Sequence, residues 1–176
     1  MTPHLANIPE IETERLRLRA PRASDYEPFV AFRMSERALG VGGPYTRTEA
    51  FDQFGELFGH WVLRGFGRWL VADRQTDEAL GVVGLMHPPD WPEPEIAWAV
   101  FENGEGRGIA FEAATASRTY AYDKLGWRRV VSLIVPSNSR SIELANRMGA
   151  IFEAPYQHPT IGPMQIWRHL GPEELR

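Results

Sequence analysis

The 176-residue chain contains no cysteine, which excludes disulfides, thiolate metal sites, iron–sulfur ligation and a cysteine nucleophile. It has no apolar run near the ~18 residues of a membrane span. Met1 to Ile11 shows no basic stretch followed by an apolar core, so no secretory leader is read there and a soluble cytoplasmic protein is expected. A basic excess is also missing. The 19 Lys/Arg stand against 23 Asp/Glu, a net charge of −4, which speaks against a nucleic-acid partner. No internal repeat, linker tract or metal-ligand pattern is visible. A single domain over residues 1–176 is expected.

What the chain does have is 43% apolar content and a modest surplus of breaks. Glycine and proline contribute 16 and 14 residues, about 17% against the ~12% of average usage. The prolines are clustered. The windows between Pro44 and Pro88, Pro94 and Pro136, and Pro136 and Pro155 are free of them and suit long helices and central strands.

Arg15 to Arg19 alternates apolar and charged residues, the period of a strand with one wet face. Ser24-Asp25-Tyr26-Glu27 and Thr46-Arg47-Thr48-Glu49 both read as capping boxes that open helices. The first helix should run to about Ser35. The second carries Phe51, Phe54, Phe58 and Trp61 at helical spacing, read as core. Residues 36–45 form a loop. Arg68 to Asp73 and Ala79 to Met86 form a hairpin around Thr76-Asp77, and Glu95 to Phe101 a further strand. A helix follows the glycines and ends at Lys124 and Gly126. Val130 to Val135 is a buried-type strand, Asn138 caps a short helix to Met148, and Met164 to Leu170 is the last strand. The fold class is α/β with a mixed sheet.

The most informative stretch is strand, glycine loop and helix from Glu95 to Leu125. Gly104, Gly106 and Gly108 allow backbone N–H groups to converge on a ligand, and the helix N-terminus adds a positive dipole end. A phosphate is the natural guest. A Walker A loop is excluded because Ile109-Ala110 follows Gly108, and a dinucleotide fingerprint would sit at the first strand of a parallel unit. Between Arg107 and Arg147 seven Lys/Arg face three Asp/Glu, a balance of +4, which leaves −8 for the rest of the chain. A polyphosphate near this half is electrostatically sensible.

Glu95 to Val100, followed by Gly106-Arg107-Gly108-Ile109-Ala110-Phe111-Glu112-Ala113, resembles the acetyl-CoA-binding motif of the GCN5-related N-acetyltransferases (GNAT). Glu12 to Arg19 and Asn138-Ser139-Arg140-Ser141, with Met148-Gly149-Ala150 after it, are similar to the RimJ/RimL-type branch that acetylates ribosomal-protein N-termini. The likeness covers about residues 11–170. Three positions depart from the pattern. Asn103 stands where the family has Gln or Arg, Ala150 replaces a usual Phe, and no tyrosine occupies the helix where many relatives place a general acid.

The resemblance implies the GNAT fold: a mostly antiparallel sheet with two splayed parallel central strands, flanked by helices. It implies an acetyl-CoA-dependent N-acetyltransferase that transfers directly to a primary amine, either a protein N-terminus or a small molecule. A non-catalytic CoA- or acyl-CoA-binding module of the same fold is the alternative. The implied cofactor-binding positions are Phe101, Gly106, Arg107, Gly108, Ile109, Ala110, Asn138 and Ser141, with Phe101 pairing through its backbone. The implied catalytic positions are Glu95 as base, through a water, and Ser141 near the sulfur. His87 is a rival base, and Trp91 and residues 40–44 are candidate walls of the acceptor cleft. No metal, nucleic acid or membrane partner is expected, and a homodimer is left open.

Overall fold

The computed structural model describes residues 7–175. Residues 1–6, part of the segment read above for a leader, lie outside the described residues. The elements are β1 (Ile11–Glu12), β2 (Leu16–Arg19), α1 (Tyr26–Met34), α2 (Arg47–Arg64), β3 (Arg68–Asp73), β4 (Ala79–Met86), β5 (Glu95–Val100), α3 (Ile109–Asp123), β6 (Val131–Ile134), α4 (Ser139–Arg147), β7 (Ile151–His158) and β8 (Gly162–Arg168). Short 3-10 segments occupy Ala23–Asp25, Glu36–Val41 and Glu102–Gly104.

The eight strands form one sheet in the order β1-β2-β3-β4-β5-β6-β8-β7. Its neighbours are antiparallel except β5 and β6, which run parallel and share a single register pair, Glu95 with Val131. Both faces are covered, as the apolar runs of β3 and β4 demand. On one face Trp69, Val71, Val83, Leu85 and Ile96 pack against Ile109, Ala113 and Ala114 of α3. On the other, Leu70, Ala72 and Val82 meet Phe29 and Phe32 of α1 and Leu57 of α2.

Local signals explain most boundaries. The Thr46–Glu49 capping box forms: the Glu49 N–H donates to Thr46 Oγ1 at 3.2 Å and the Thr46 N–H donates to Glu49 Oε2 at 2.7 Å. Asp77 takes φ +61° in the hairpin turn. Gly108, at φ +74°, is the N-cap of α3, and Asn138 caps α4 by accepting the Ser141 N–H at 3.2 Å.

Four expectations change. The first helix does not open on a Ser24–Glu27 box. Asp25 accepts the Arg22 N–H at 2.7 Å instead, because its carboxylate is drawn inward to the buried Arg19 guanidinium at 2.8 and 3.1 Å. On α2 the buried positions are Ala50, Leu57 and Trp61, while Phe51 is 63% exposed and leans edge-on against Tyr26. Phe58 is exposed as well. β5 stops at Val100, one residue early, because the chain turns into the 3-10 segment. β7 was not expected, since Pro155 interrupts its pattern. It is one of the two edge strands, where a missing donor is tolerated.

Candidate functional site

The parallel seam between β5 and β6 opens immediately beyond its one pair. The Val131 N–H donates to the Pro94 carbonyl at 3.2 Å. The next rung of a parallel ladder would join the Leu133 N–H to the Ile96 carbonyl. Side chains take both ends instead. Glu95 Oε1 accepts from the Leu133 N–H at 3.1 Å, and Ser132 Oγ donates to the Ile96 carbonyl at 2.7 Å. The strands therefore diverge with the Leu133 N–H and the Ile96 carbonyl both paired at the fork. Past it, Ala97 to Val100 are half-buried and border open space.

A cleft of about 480 Å³ occupies that opening. Trp98, Ala99 and Val100 of β5 form its floor. Gly104, Gly106 and Gly108 line one end, Ile109 and Ala110 begin α3 there, and Asn138 and Ser141 come from α4. Gly40 and Val41 close the side nearest α1. The glycines matter individually. Gly106 and Gly108 hold φ +70° and +74°, and a Cβ on Gly40 would stand 2.4 Å from Asn138 Nδ2. Three arginines, Arg37, Arg140 and Arg147, line the cleft. Two of them converge on Glu105, Arg37 at 2.5 Å and Arg140 at 3.1 Å, so one glycine-loop carboxylate links both rims.

Six of the sequence-derived positions come together here: Gly106, Gly108, Ile109, Ala110, Asn138 and Ser141. Phe101 does not. Its N–H donates to the Leu80 carbonyl at 2.8 Å and its carbonyl accepts from the Gly104 N–H at 2.9 Å, so its backbone is already engaged. Its ring packs with Phe32 in the core. The β5 residues that line the cleft are Trp98, Ala99 and Val100. Arg107 is expected to contribute its backbone amide; its side chain turns to the Asn103 carbonyl at 3.1 Å and Asp73 at 3.5 Å.

Glu95 is 5% exposed and does not line the cleft. Burial pushes its carboxyl up to about 7, against the opposing pull of hydrogen bonds from the Trp91 indole and the Leu133 N–H. Trp91 thus covers Glu95 (Oε2) rather than standing free in a cleft. The His87 N–H donates to His60 Nε2 at 2.9 Å, and the His87 ring lies 3.2 Å from the Trp91 carbonyl.

Two residues to which the sequence assigns no site role shape the site. Trp98 donates its indole N–H to Ser141 Oγ at 3.1 Å. Ser132, besides the Ile96 carbonyl, contacts His169 Nε2 at 2.8 Å. The period of β5 would have put Trp98 on the α3 face beside the seam, but only the fold brings Ser141 to it. Among the described residues no cluster of three or more His, Asp or Glu could hold a metal, and no helix is long and apolar enough to cross a membrane.

An acetyltransferase (GNAT) domain profile matches residues 15–151. An acetyltransferase from Agrobacterium tumefaciens is 33% identical and superposes with a TM-score of 0.86, covering 93% of this chain and 95% of that one. A RimL ribosomal L7/L12 α-N-protein acetyltransferase, solved in complex with coenzyme A, has the same fold at 17% identity and TM-score 0.74, covering 92% and 98%. The uncharacterised Bacillus subtilis protein YkkB is 32% identical over 89 residues, 48% of this chain. That match spans only 51% of YkkB.

Proposed function

The chain belongs to the GNAT acetyltransferase family, and we propose that it is an acetyl-CoA-dependent N-acetyltransferase acting directly on a primary amine. The observation that carries the reading is the cleft itself. An open strand edge, a glycine loop at a helix N-terminus, and Asn138 with Ser141 surround one cleft. The residues fit the guest. The unpaired edge at Trp98 to Val100 offers strand-like partners to an extended amide-bearing arm. The N–H groups around Gly108 to Ala110 face a pyrophosphate, aided by the helix dipole and by Arg37, Arg140 and Arg147.

When bound, acetyl-CoA supplies a thioester carbonyl open to attack and a thiolate leaving group. The protein must then accept a proton from the amine, because an ammonium has no lone pair, and must stabilise the departing sulfur. Glu95 is the base in this reading, acting through a water admitted past Trp91. A carboxyl held near 7 is suited to that task at neutral pH. Ser141, which carries the one hydroxyl among the residues lining the cleft, serves the sulfur. The matches at residues 12–19 and 138–141 favour the RimJ/RimL-type branch. A cytoplasmic setting, one catalytic domain over the whole chain and a protein N-terminus or small amine as acceptor belong to the same proposal.

One observation favours the alternative of a CoA-binding module without turnover: the Glu95 carboxylate is covered and engaged at both oxygens. Thiol release from acetyl-CoA across a panel of peptide N-termini and small amines decides between the two. Release with at least one amine, lost in Glu95→Gln, supports the enzyme. Tight acetyl-CoA binding with no release across the panel supports the module.

A further inference from the structure

The chain has no tyrosine where many relatives of the family place a general acid, and Ser141 carries the one hydroxyl among the described residues that line the cleft. A lone serine hydroxyl is a weak and rotatable donor, so its effect depends on what fixes it. We propose that Trp98 is a positioning residue for this site: its indole N–H occupies an acceptor lone pair of Ser141 Oγ and keeps the hydroxyl proton available to a thiolate sulfur entering the cleft. The proposal rests on the CoA-binding reading given above.

Four observations support it. The contact is direct, Trp98 Nε1 to Ser141 Oγ at 3.1 Å, and both residues line the cleft. The indole has no acceptor role, so the direction of the bond is fixed: tryptophan donates and serine accepts. The Ser141 hydroxyl makes no donor bond to any described residue, which leaves its proton free. The assembly is held on both sides. The Trp98 ring packs against the buried cluster of Ile134, Ala145, Ala150 and Trp167, while the Ser141 N–H is tied to Asn138 Oδ1 at 3.2 Å. A hydroxyl that accepts from an N–H is also polarised into a better donor, because hydrogen bonds in a chain strengthen one another. Ser141 would otherwise be free to turn its proton toward a backbone carbonyl of its own helix.

The test reads the thiol of bound coenzyme A, without turnover. The protein has no cysteine, so thiolate absorbance in the complex, measured against the desulfo-coenzyme A complex, belongs to the ligand alone. Removing the Ser141 donor in Ser141→Ala should raise the bound thiol's titration by about one pH unit relative to the wild type. Trp98→Phe keeps most of the ring and deletes the N–H. It should raise the titration by at least half of that amount while changing coenzyme A affinity less than threefold. The double variant should match Ser141→Ala. The Trp98 indole proton should also shift in the NMR spectrum of Ser141→Ala, a readout that needs no tryptophan substitution. Three results overturn the proposal: wild-type titration in Trp98→Phe, a double variant shifted beyond Ser141→Ala, or an unmoved indole resonance. Coenzyme A binding without acetyl transfer to any amine would refute the enzyme reading alone, and the titration would still decide the role of Trp98.

Discussion

Glu95 Oε1 accepts the Leu133 N–H at 3.1 Å across the opening between β5 and β6. The carboxylate proposed above as the base therefore also holds the fork of the sheet. Its two duties respond to pH in opposite directions.

The fold raises the Glu95 carboxyl from the ordinary value of 4.5 to about 7. Folding therefore favours its protonated form. The native state binds more protons than the unfolded chain between those values, so stability is greatest at the acid end of this window and falls as pH rises through it. The contribution lost is about 3 kcal/mol. Thermal melts from pH 4.5 to 8 should show this decline, and Glu95→Gln should flatten it. Activity should run the other way, rising with pH as Glu95 ionises. Glu95→Gln should lower kcat by about 10²-fold or more, in line with loss of a general base.

Gly40 sits where a Cβ would come 2.4 Å from Asn138 Nδ2. Gly40→Ala must push the Asn138 side chain aside, disturbing the α4 cap and the adjoining cleft wall. We expect acetyl-CoA affinity to fall about tenfold, with an overpacking cost of about 1–3 kcal/mol visible in the melt. Isothermal titration alongside the melt separates the two effects.

Glu105 bridges Arg37 and Arg140 within a cleft whose expected guest is anionic. Glu105→Gln removes a like charge, releases Arg140 and leaves Arg37 paired with Glu102 alone. Acetyl-CoA should bind several-fold more tightly, and the gain should shrink from 50 to 300 mM salt because these groups are solvent-exposed. Unchanged affinity at low salt would place the phosphates away from this rim.

Arg19 is 2% exposed and pairs with Asp25 through two hydrogen bonds. Asp77 also reaches it, at 3.0 Å. Asp25→Ala leaves the buried cation with Asp77 as its carboxylate partner and the Ala20 and Asp77 carbonyls as acceptors. The cost should be about 3 kcal/mol, near the low end for breaking a buried pair because Asp77 remains. A Tm lowered by about 6–12 °C should accompany unchanged turnover at temperatures well below the transition.

Much of this site was legible in the sequence because it depends on backbone chemistry. Glycines at positive φ, an Asn cap and a helix N-terminus leave marks at fixed spacing, and Gly106, Gly108 and Asn138 fall where those marks put them. Phe101 leaves the strand because its carbonyl accepts the Gly104 N–H in the 3-10 segment, a local choice that no pattern in the sequence marks. Phe51 and Trp61 share a helical stripe, yet which of them is buried depends on how α2 tilts over the sheet. Long-range relations leave no local trace. The Trp98–Ser141 bond spans 43 positions and the Glu95–Leu133 bond 38, so only the folded topology reveals them.

The fork has a mechanical consequence. Strands β1 to β5 and strands β6, β8 and β7 are two ladders that share one rung and two side-chain clasps. Amide exchange along Ile96 to Val100 should report how independently those halves breathe. A guest that pairs with the open edge would act as a ninth strand, turning two loosely riveted plates into one.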